Sequence, residues 1–358
     1  MMSLLGSSVL AQGHPATIFE RTLLRTGPGD TYPHIAELGA EVPVTIVERN
    51  DLGTWMRIVR ADAPDTGNVD GWVMTGFLTF DESLRLSDIP VSDLPQADVS
   101  GIGDPDIVRL YQTPIVPTIS DAMREVYARG QANGMHSNVV TKVGDSNSAA
   151  RPYLPPSFEV AYQLGIYTYL YPAVEHFGDS FRTGSIAAKV GLNGFSVFDP
   201  AWTNSDECSA NQYPLMCEYR VTRPTVALIL FGPNDVRVLN TEQFQQQMSR
   251  IVEETLELGV IPVLSTFSTN PESANYFQAI RFNLILLDVA AQYNVPIINM
   301  WAAARTLPRY GLVQDGAHLS ATGRSVSLRG QESRYGISLQ NLVVLATLER
   351  IRQAIPLS

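Results

Sequence analysis

Two hydrophobic patterns divide the chain. From about Ala16 to Phe80, short alternating runs such as Val42–Val47 are separated by turn signals at Gly27-Pro28-Gly29, Gly39, Asn50-Asp51-Leu52-Gly53 and Gly67 to Gly71. A period of two over a few residues, bounded by Gly, Pro, Asn and Asp, predicts short antiparallel strands, and hence a small all-β barrel over residues 16–82. Leu84 to Pro117 then carries five prolines and little periodicity, which predicts a linker over 83–117. Ser120-Asp121 predicts the cap of a helix that runs to about Gly130. Over 118–358 the pattern changes. Apolar runs of strand length, Val139–Val143, Ile186–Val190, Val226–Phe231, Val260–Ser265 and Val295–Asn299, alternate with longer stretches of helical spacing. Among these are Thr241–Leu258, with Phe244, Met248, Ile251, Val252 and Leu256 on one stripe, and Tyr276–Tyr293. Strand followed by helix, repeated, predicts a parallel sheet covered on both faces.

Composition narrows the partners. The chain has 358 residues, which suits two domains or one large one, and a 45% apolar fraction that can fill a sizeable core. The net charge is −11 and no basic run occurs, so neither nucleic acid nor an anionic membrane surface is an expected partner. A neutral substrate is easier to accommodate than a polyanion. No stretch reaches the ~18 apolar residues of a membrane span. The opening Met1 to Ala16 is short, apolar and rich in small residues. Val9-Leu10-Ala11 looks like a signal-peptidase site but lacks a charged leading region, so residues 1–15 read as a signal-peptide remnant of a secreted or cell-surface protein. The two cysteines, Cys208 and Cys217, lie nine positions apart with no nearby His, which leaves a zinc site without ligands. In an exported protein they would close into a disulfide, and in a cytosolic one they would be two free thiols.

Four segments carry chemistry: Gly144-Asp145-Ser146-Asn147, Gly194, Gly232-Pro233-Asn234-Asp235 and Asp315-Gly316-Ala317-His318. The first and third each follow a buried-type strand, and catalytic groups in open α/β sheets collect at the carboxyl ends of strands. A serine hydroxyl needs a base to accept its proton during attack. Of the five histidines, His14, His34, His136, His176 and His318, only His318 has a carboxylate three residues before it on one short turn, Asp315. That spacing lets the carboxylate fix one ring nitrogen while the other faces Ser146. Asp315 as a mere cap for a helix starting near Ser320 is the competing reading. Asp145 and Asp235 read as local hydrogen-bonding residues that hold their turns. No Gly-x-Ser-x-Gly surrounds Ser146, so the α/β-hydrolase elbow is excluded.

In these segments the chain resembles the SGNH, or GDSL, hydrolases, with Ser146, Gly194, Asn234 and His318 in the places of the four letters, over roughly Ser137 to the C-terminus. It departs from them in reading GDSN for GDSL and GPND for GTND, and in a loose second block where Gly191 neighbours Gly194. The resemblance implies a three-layer α/β/α, flavodoxin-like fold and an acyl-serine mechanism with no metal or organic cofactor. It also implies an oxyanion site built from the Ser146 amide, the Gly194 amide and the Asn234 side chain. Leu24-Arg25-Thr26-Gly27-Pro28-Gly29, with Tyr32, Gly53-Thr54-Trp55 and Gly71-Trp72-Val73, resembles a bacterial Src-homology-3-like domain, which implies a docking module for cell-wall or glycan ligands. Tyr32, Trp55 and Trp72 are either its ligand face or its core. The expected substrate is a small-molecule or polysaccharide acyl ester, which points to a carbohydrate O-acetylesterase. A lipase-like carboxylesterase with an acyl groove at Tyr167-Tyr169-Tyr171 and Phe195-Phe198, acyl transfer to a sugar, and a non-catalytic wall-binding scaffold are the other readings.

Overall fold

Antiparallel pairing organises the first part of the chain, as its alternation predicts. The computed structural model describes residues 13–60, 69–182, 184–203, 206–323 and 326–357. Contacts divide the chain into two units, Met1–Asp98 and Val99–Ser358. In the first, β1 (His14–Ile18), β2 (Thr22–Arg25), β3 (His34–Leu38), β4 (Pro43–Arg49), β5 (Trp55–Arg60), β6 (Val69–Met74) and β7 (Leu78–Phe80) form one sheet in the order β3-β2-β6-β5-β4-β1-β7. Residues 1–12 of the expected leader, and the Gly67 end of one turn, lie outside the described residues. His14 and Pro15 already belong to β1.

Tyr32, Trp55 and Trp72 are buried in this unit with Ile18, Leu24, Ile46 and Ile58, and the Tyr32 hydroxyl donates to the Pro95 carbonyl at 2.8 Å. They are core residues and offer no ligand face. The reason is size: a sheet this small needs its largest apolar side chains to exclude water.

Residues 83–117 do not form a free linker. Arg49 Nε donates to the carbonyls of Leu86 and Ile89, and the Asp98 N–H donates to Thr31 Oγ1, so the segment up to Asp98 belongs to the first unit. Beyond it, α1 (Pro105–Gln112) starts at an Asp104 cap whose carboxylate accepts the Asp106 N–H. Its Leu110 packs with Ile280, Leu284, Leu287 and Trp301, and Tyr111 meets the Trp301 ring edge-on at 4.9 Å.

The second unit continues with α2 (Ala122–Ala132), β8 (His136–Gly144), β9 (Tyr162–Gln163), α3 (Tyr171–Phe177), α4 (Pro214–Thr222), β10 (Pro224–Leu230), α5 (Thr241–Glu257), β11 (Ile261–Ser265), α6 (Tyr276–Tyr293), β12 (Ile297–Ile298), α7 (Met300–Ala304), β13 (Val326–Ser327) and α8 (Gly336–Ala354). Its main sheet is parallel, in the order β12-β11-β10-β8. All seven residues of β10 are buried, as a central strand of a covered parallel sheet requires. α5 opens with a reciprocal cap between Asn240 and Gln243, and it buries Phe244, Met248, Ile251 and Val252. The Phe244 ring stacks on Phe282 of α6, with centroids 4.1 Å apart.

Three local expectations are corrected. Ile186–Val190 is not a strand: only Ala188 bridges to Gly144, on the edge of β8 away from β10. The reason lies just before it, where Ser185 Oγ folds back to donate to the Lys142 carbonyl and accept the Ala187 N–H. α2 has no side-chain cap from Asp121, whose backbone is already helical and whose carboxylate pairs with Arg124 at 3.3 Å, and Ser120 Oγ turns to the Asn294 carbonyl; the helix continues through Gly130, where an added Cβ would lie 2.2 Å from the Gly259 carbonyl oxygen. Among the described residues no helix begins near Ser320, and the next α-helix is α8, at Gly336. Cys208 and Cys217 are joined in a disulfide with Cα atoms 5.6 Å apart, tying the loop after Trp202 to α4.

Candidate active site

The nucleophile turn forms because β8 must end against β10. A Cβ on Gly144 would lie 2.3 Å from the Leu230 carbonyl oxygen and as close to Ser148 Oγ, so only glycine lets the chain leave the sheet there. Asp145 follows, fully buried, and its Oδ1 accepts the Asn147 N–H at 2.8 Å. The Ala149 N–H returns to the Asp145 carbonyl. Ser146 is left half-buried at the start of this turn, and its own N–H has no hydrogen-bond partner among the described residues. Burial is the main force on the Asp145 carboxyl, and the charge of Asp235 adds to it; against the Asn147 donor and His318, they push it up to about 7.

The loop after β10 is built the same way. Gly232 has φ +135°, and a Cβ there would strike the Phe267 ring at 2.1 Å. Asn234 places its side-chain amide towards the preceding block, where Nδ2 donates one hydrogen to the Leu192 carbonyl at 3.0 Å and keeps a second. Asp235 is fully buried. Its Oδ2 accepts the Gly232 N–H at 2.8 Å and its Oδ1 accepts the Gly194 N–H at 2.7 Å. The Gly194 amide, assigned to the oxyanion by resemblance, is therefore occupied by a carboxylate, and a Cβ at 194 would sit tightly against Asp235 Oδ1, at 3.1 Å. Burial raises the Asp235 carboxyl to about 6, although three backbone N–H groups, those of Gly194 and Gly232 among them, pull it back.

His318 sits on a tight loop after Leu312, which bridges to Leu319. Asp315 Oδ1 accepts the N–H of Ala317 at 2.9 Å and of His318 at 3.0 Å, and Oδ2 meets His318 Nδ1 at 2.6 Å. Slight burial works against it, but those two amides and the imidazole hold the Asp315 carboxyl down at about 2. It is thus a carboxylate across the working range and an acceptor for Nδ1–H, which leaves Nε2 as the nitrogen with a free lone pair. The other described ring contacts differ in kind: His14, His34 and His176 each use Nε2 on a backbone carbonyl.

Asn147 joins the two segments. Its Nδ2 donates to the Ala317 carbonyl at 3.1 Å and its Oδ1 accepts the Leu319 N–H at 2.9 Å. Reading the chain gave Asn147 no role beyond its place as the fourth letter of GDSN. The one signal was its polarity directly after the serine, in a turn that burial would oblige to find partners.

Beside these residues lies an open recess lined by Pro233, Val236, Arg237, Phe267, Ser268, Thr269, Ser273, Asn275, Ala279, Gly316 and Ala317. Of the expected acyl-groove aromatics, none lines it. Tyr167 is buried, and Phe198 lies under the Arg250 guanidinium at 3.8 Å, while Tyr169, Tyr171 and Phe195 are exposed.

No family model matches the chain, and no curated protein does. Among solved structures it is similar to a lipase/acylhydrolase from Enterococcus faecalis, at 16% identity over 59% of this chain and 95% of that one, with a TM-score of 0.37. It is similar to a GDSL-like lipase from Bacteroides thetaiotaomicron at 11% identity, over 64% and 98% of the two chains, with a TM-score of 0.39. It is also similar to an acetylxylan esterase from Geobacillus stearothermophilus at 14% identity, over 62% and 95%, with a TM-score of 0.38.

Proposed function

We propose that the chain is a serine esterase in which Ser146 attacks an acyl carbonyl, His318 is base and then acid, and Asp315 orients it. The observation that carries this reading is the Asp315–His318 contact at 2.6 Å on a loop bound to the residue next to Ser146. In this reading His318 Nε2 takes the Ser146 Oγ proton as Oγ bonds to the acyl carbon. The resulting imidazolium is stabilised by Asp315. The oxyanion is met by the Ser146 N–H and the second hydrogen of Asn234 Nδ2. Collapse expels the alcohol with the proton from His318, and a water, activated by the same nitrogen, releases the acid. Two preorganised donors suffice to lower the barrier by several kcal/mol, since removing one typically costs about a hundred- to a thousandfold in turnover. Gly194 enters as the anchor of Asp235, which keeps the Asn234 turn against Leu192.

The polar lining of the recess, with Ser268, Thr269, Ser273, Asn275 and Arg237 beside Phe267, favours a short acyl group on a hydroxylated alcohol over a long lipid chain. We therefore place the substrate among acetylated carbohydrates, the enzyme outside the cytoplasm, and the first unit, whose sheet runs from β1 to β7, as a Src-homology-3-like docking module. The second unit is the flavodoxin-like hydrolase domain. The disulfide is compatible with an oxidising compartment. Rates on p-nitrophenyl acetate and p-nitrophenyl octanoate, for the unaltered chain and Ser146→Ala, test the reading. We expect acetate to be preferred and Ser146→Ala to be inactive on both. Faster cleavage of octanoate would instead support the lipase-like alternative.

A further inference from the structure

We propose that Asn147 is the positioning residue that holds His318 in register with Ser146, acting through the backbone on both sides of the histidine. This deepens the esterase reading above and, for its kinetic part, rests on it. Asn147 is 3% exposed, so both ends of its amide must find partners inside the protein. They find the Ala317 carbonyl and the Leu319 N–H, the groups one residue before and one residue after His318. The amide thus pairs with the backbone around His318 as a neighbouring strand would, on one edge. On the other edge the His318 carbonyl accepts the Val313 N–H at 2.9 Å. Asp315 fixes the ring.

Exposure shows why such a tether is needed. Asp315 and His318 are exposed and Ala317 is partly so; of this loop only Leu319 is buried. A surface turn with one buried side chain has little packing to set its height above the sheet. Asn147 is bonded through its peptide to Ser146, and its own N–H is fixed by Asp145. A displacement of His318 relative to Ser146 therefore has to break the two amide contacts. Leucine at this position would fill similar volume, but it would leave the Ala317 carbonyl and the Leu319 N–H without their partner.

The test uses the full chain with Asn147→Leu, and Asn147→Ser as a smaller polar variant too short to span both groups. Hydrogen exchange over residues 315–320 reads the tether directly, and in both variants the Leu319 amide should exchange at least about tenfold faster, because a tertiary restraint on an exposed loop is gone. Kinetics on p-nitrophenyl acetate read its consequence. kcat should fall by about 10- to 100-fold with KM changed less than about twofold, as expected for a misplaced base. Placed in a His318→Ala background, Asn147→Leu should cost nothing further. Unchanged exchange, or an equal kinetic cost with and without His318, would overturn the proposal. If the unaltered chain hydrolyses no ester, the esterase reading fails, and the exchange result still decides whether Asn147 tethers the loop.

Discussion

The amide of Gly194 meets the buried carboxylate of Asp235 at 2.7 Å, and that carboxylate also takes the amide of Gly232. Two loops that carry candidate chemistry are thereby closed on one side chain. Asp235→Ala would leave the Gly194 and Gly232 N–H groups, among others, without this acceptor, each worth about 1–3 kcal/mol when buried, offset in part by removal of a buried charge. We expect a net loss of at least ~2 kcal/mol in urea unfolding. An unchanged midpoint at constant slope would mean that the carboxylate does not hold these loops.

Asp145 makes stability depend on pH in a direction opposite to that of a carboxylate held ionised by its partners, such as Asp315. Its folded pKa, about 7, lies above the ordinary 3.8, so the native state binds more protons than the unfolded one between those values. The stabilisation is complete below about pH 4 and is lost as the pH rises through 7. Asp145→Asn keeps an acceptor for the Asn147 N–H and removes the titration. The difference in unfolding free energy between the variant and the unaltered chain should therefore move in favour of the variant from pH 5 to pH 8. A difference that does not vary with pH would remove this account of Asp145.

The Cys208–Cys217 bridge closes a short loop. A cross-link of this span limits the unfolded chain by on the order of 2–3 kcal/mol. The Cys208→Ser, Cys217→Ser double variant should lose about that much, and unfolded, unreduced protein should titrate no thiol. Two titrated thiols would contradict the pairing.

Gly144→Ala offers a steric test at the end of β8. The new Cβ would meet the Leu230 carbonyl oxygen at 2.3 Å, backbone of the central strand that cannot retreat without opening the sheet. Overpacking of this kind costs about 1–3 kcal/mol or more. Thermal unfolding should show a drop of several degrees. An unaffected Tm would mean that the end of β8 can part from Leu230 at little cost.

How much of this was legible in the sequence follows from what each residue contacts. β10 and α5 were readable because a covered strand is a nearly continuous apolar run, here Val226 to Leu230, and a half-buried helix shows its stripe. α8 shows no stripe, since every residue from Gly336 to Glu349 is buried, and periodicity has nothing to report there. α1 was hidden among prolines, although Pro105 at its start is a helix-opening signal behind Asp104. Ser146, Asp315 and His318 could be chosen by type and spacing. Asn147 and the Gly194–Asp235 contact could not, because their partners lie 170 and 41 residues away along the chain.

The central claim is that Ser146 is a nucleophile activated by His318. Incubation with a small fluorophosphonate, followed by intact-mass measurement and peptide mapping, tests it most directly. One phosphonyl group per chain should form, located on Ser146, with little or no labelling of His318→Ala in the same time. A chain that stays unlabelled, carries the group on another residue, or labels equally fast without His318 would contradict it.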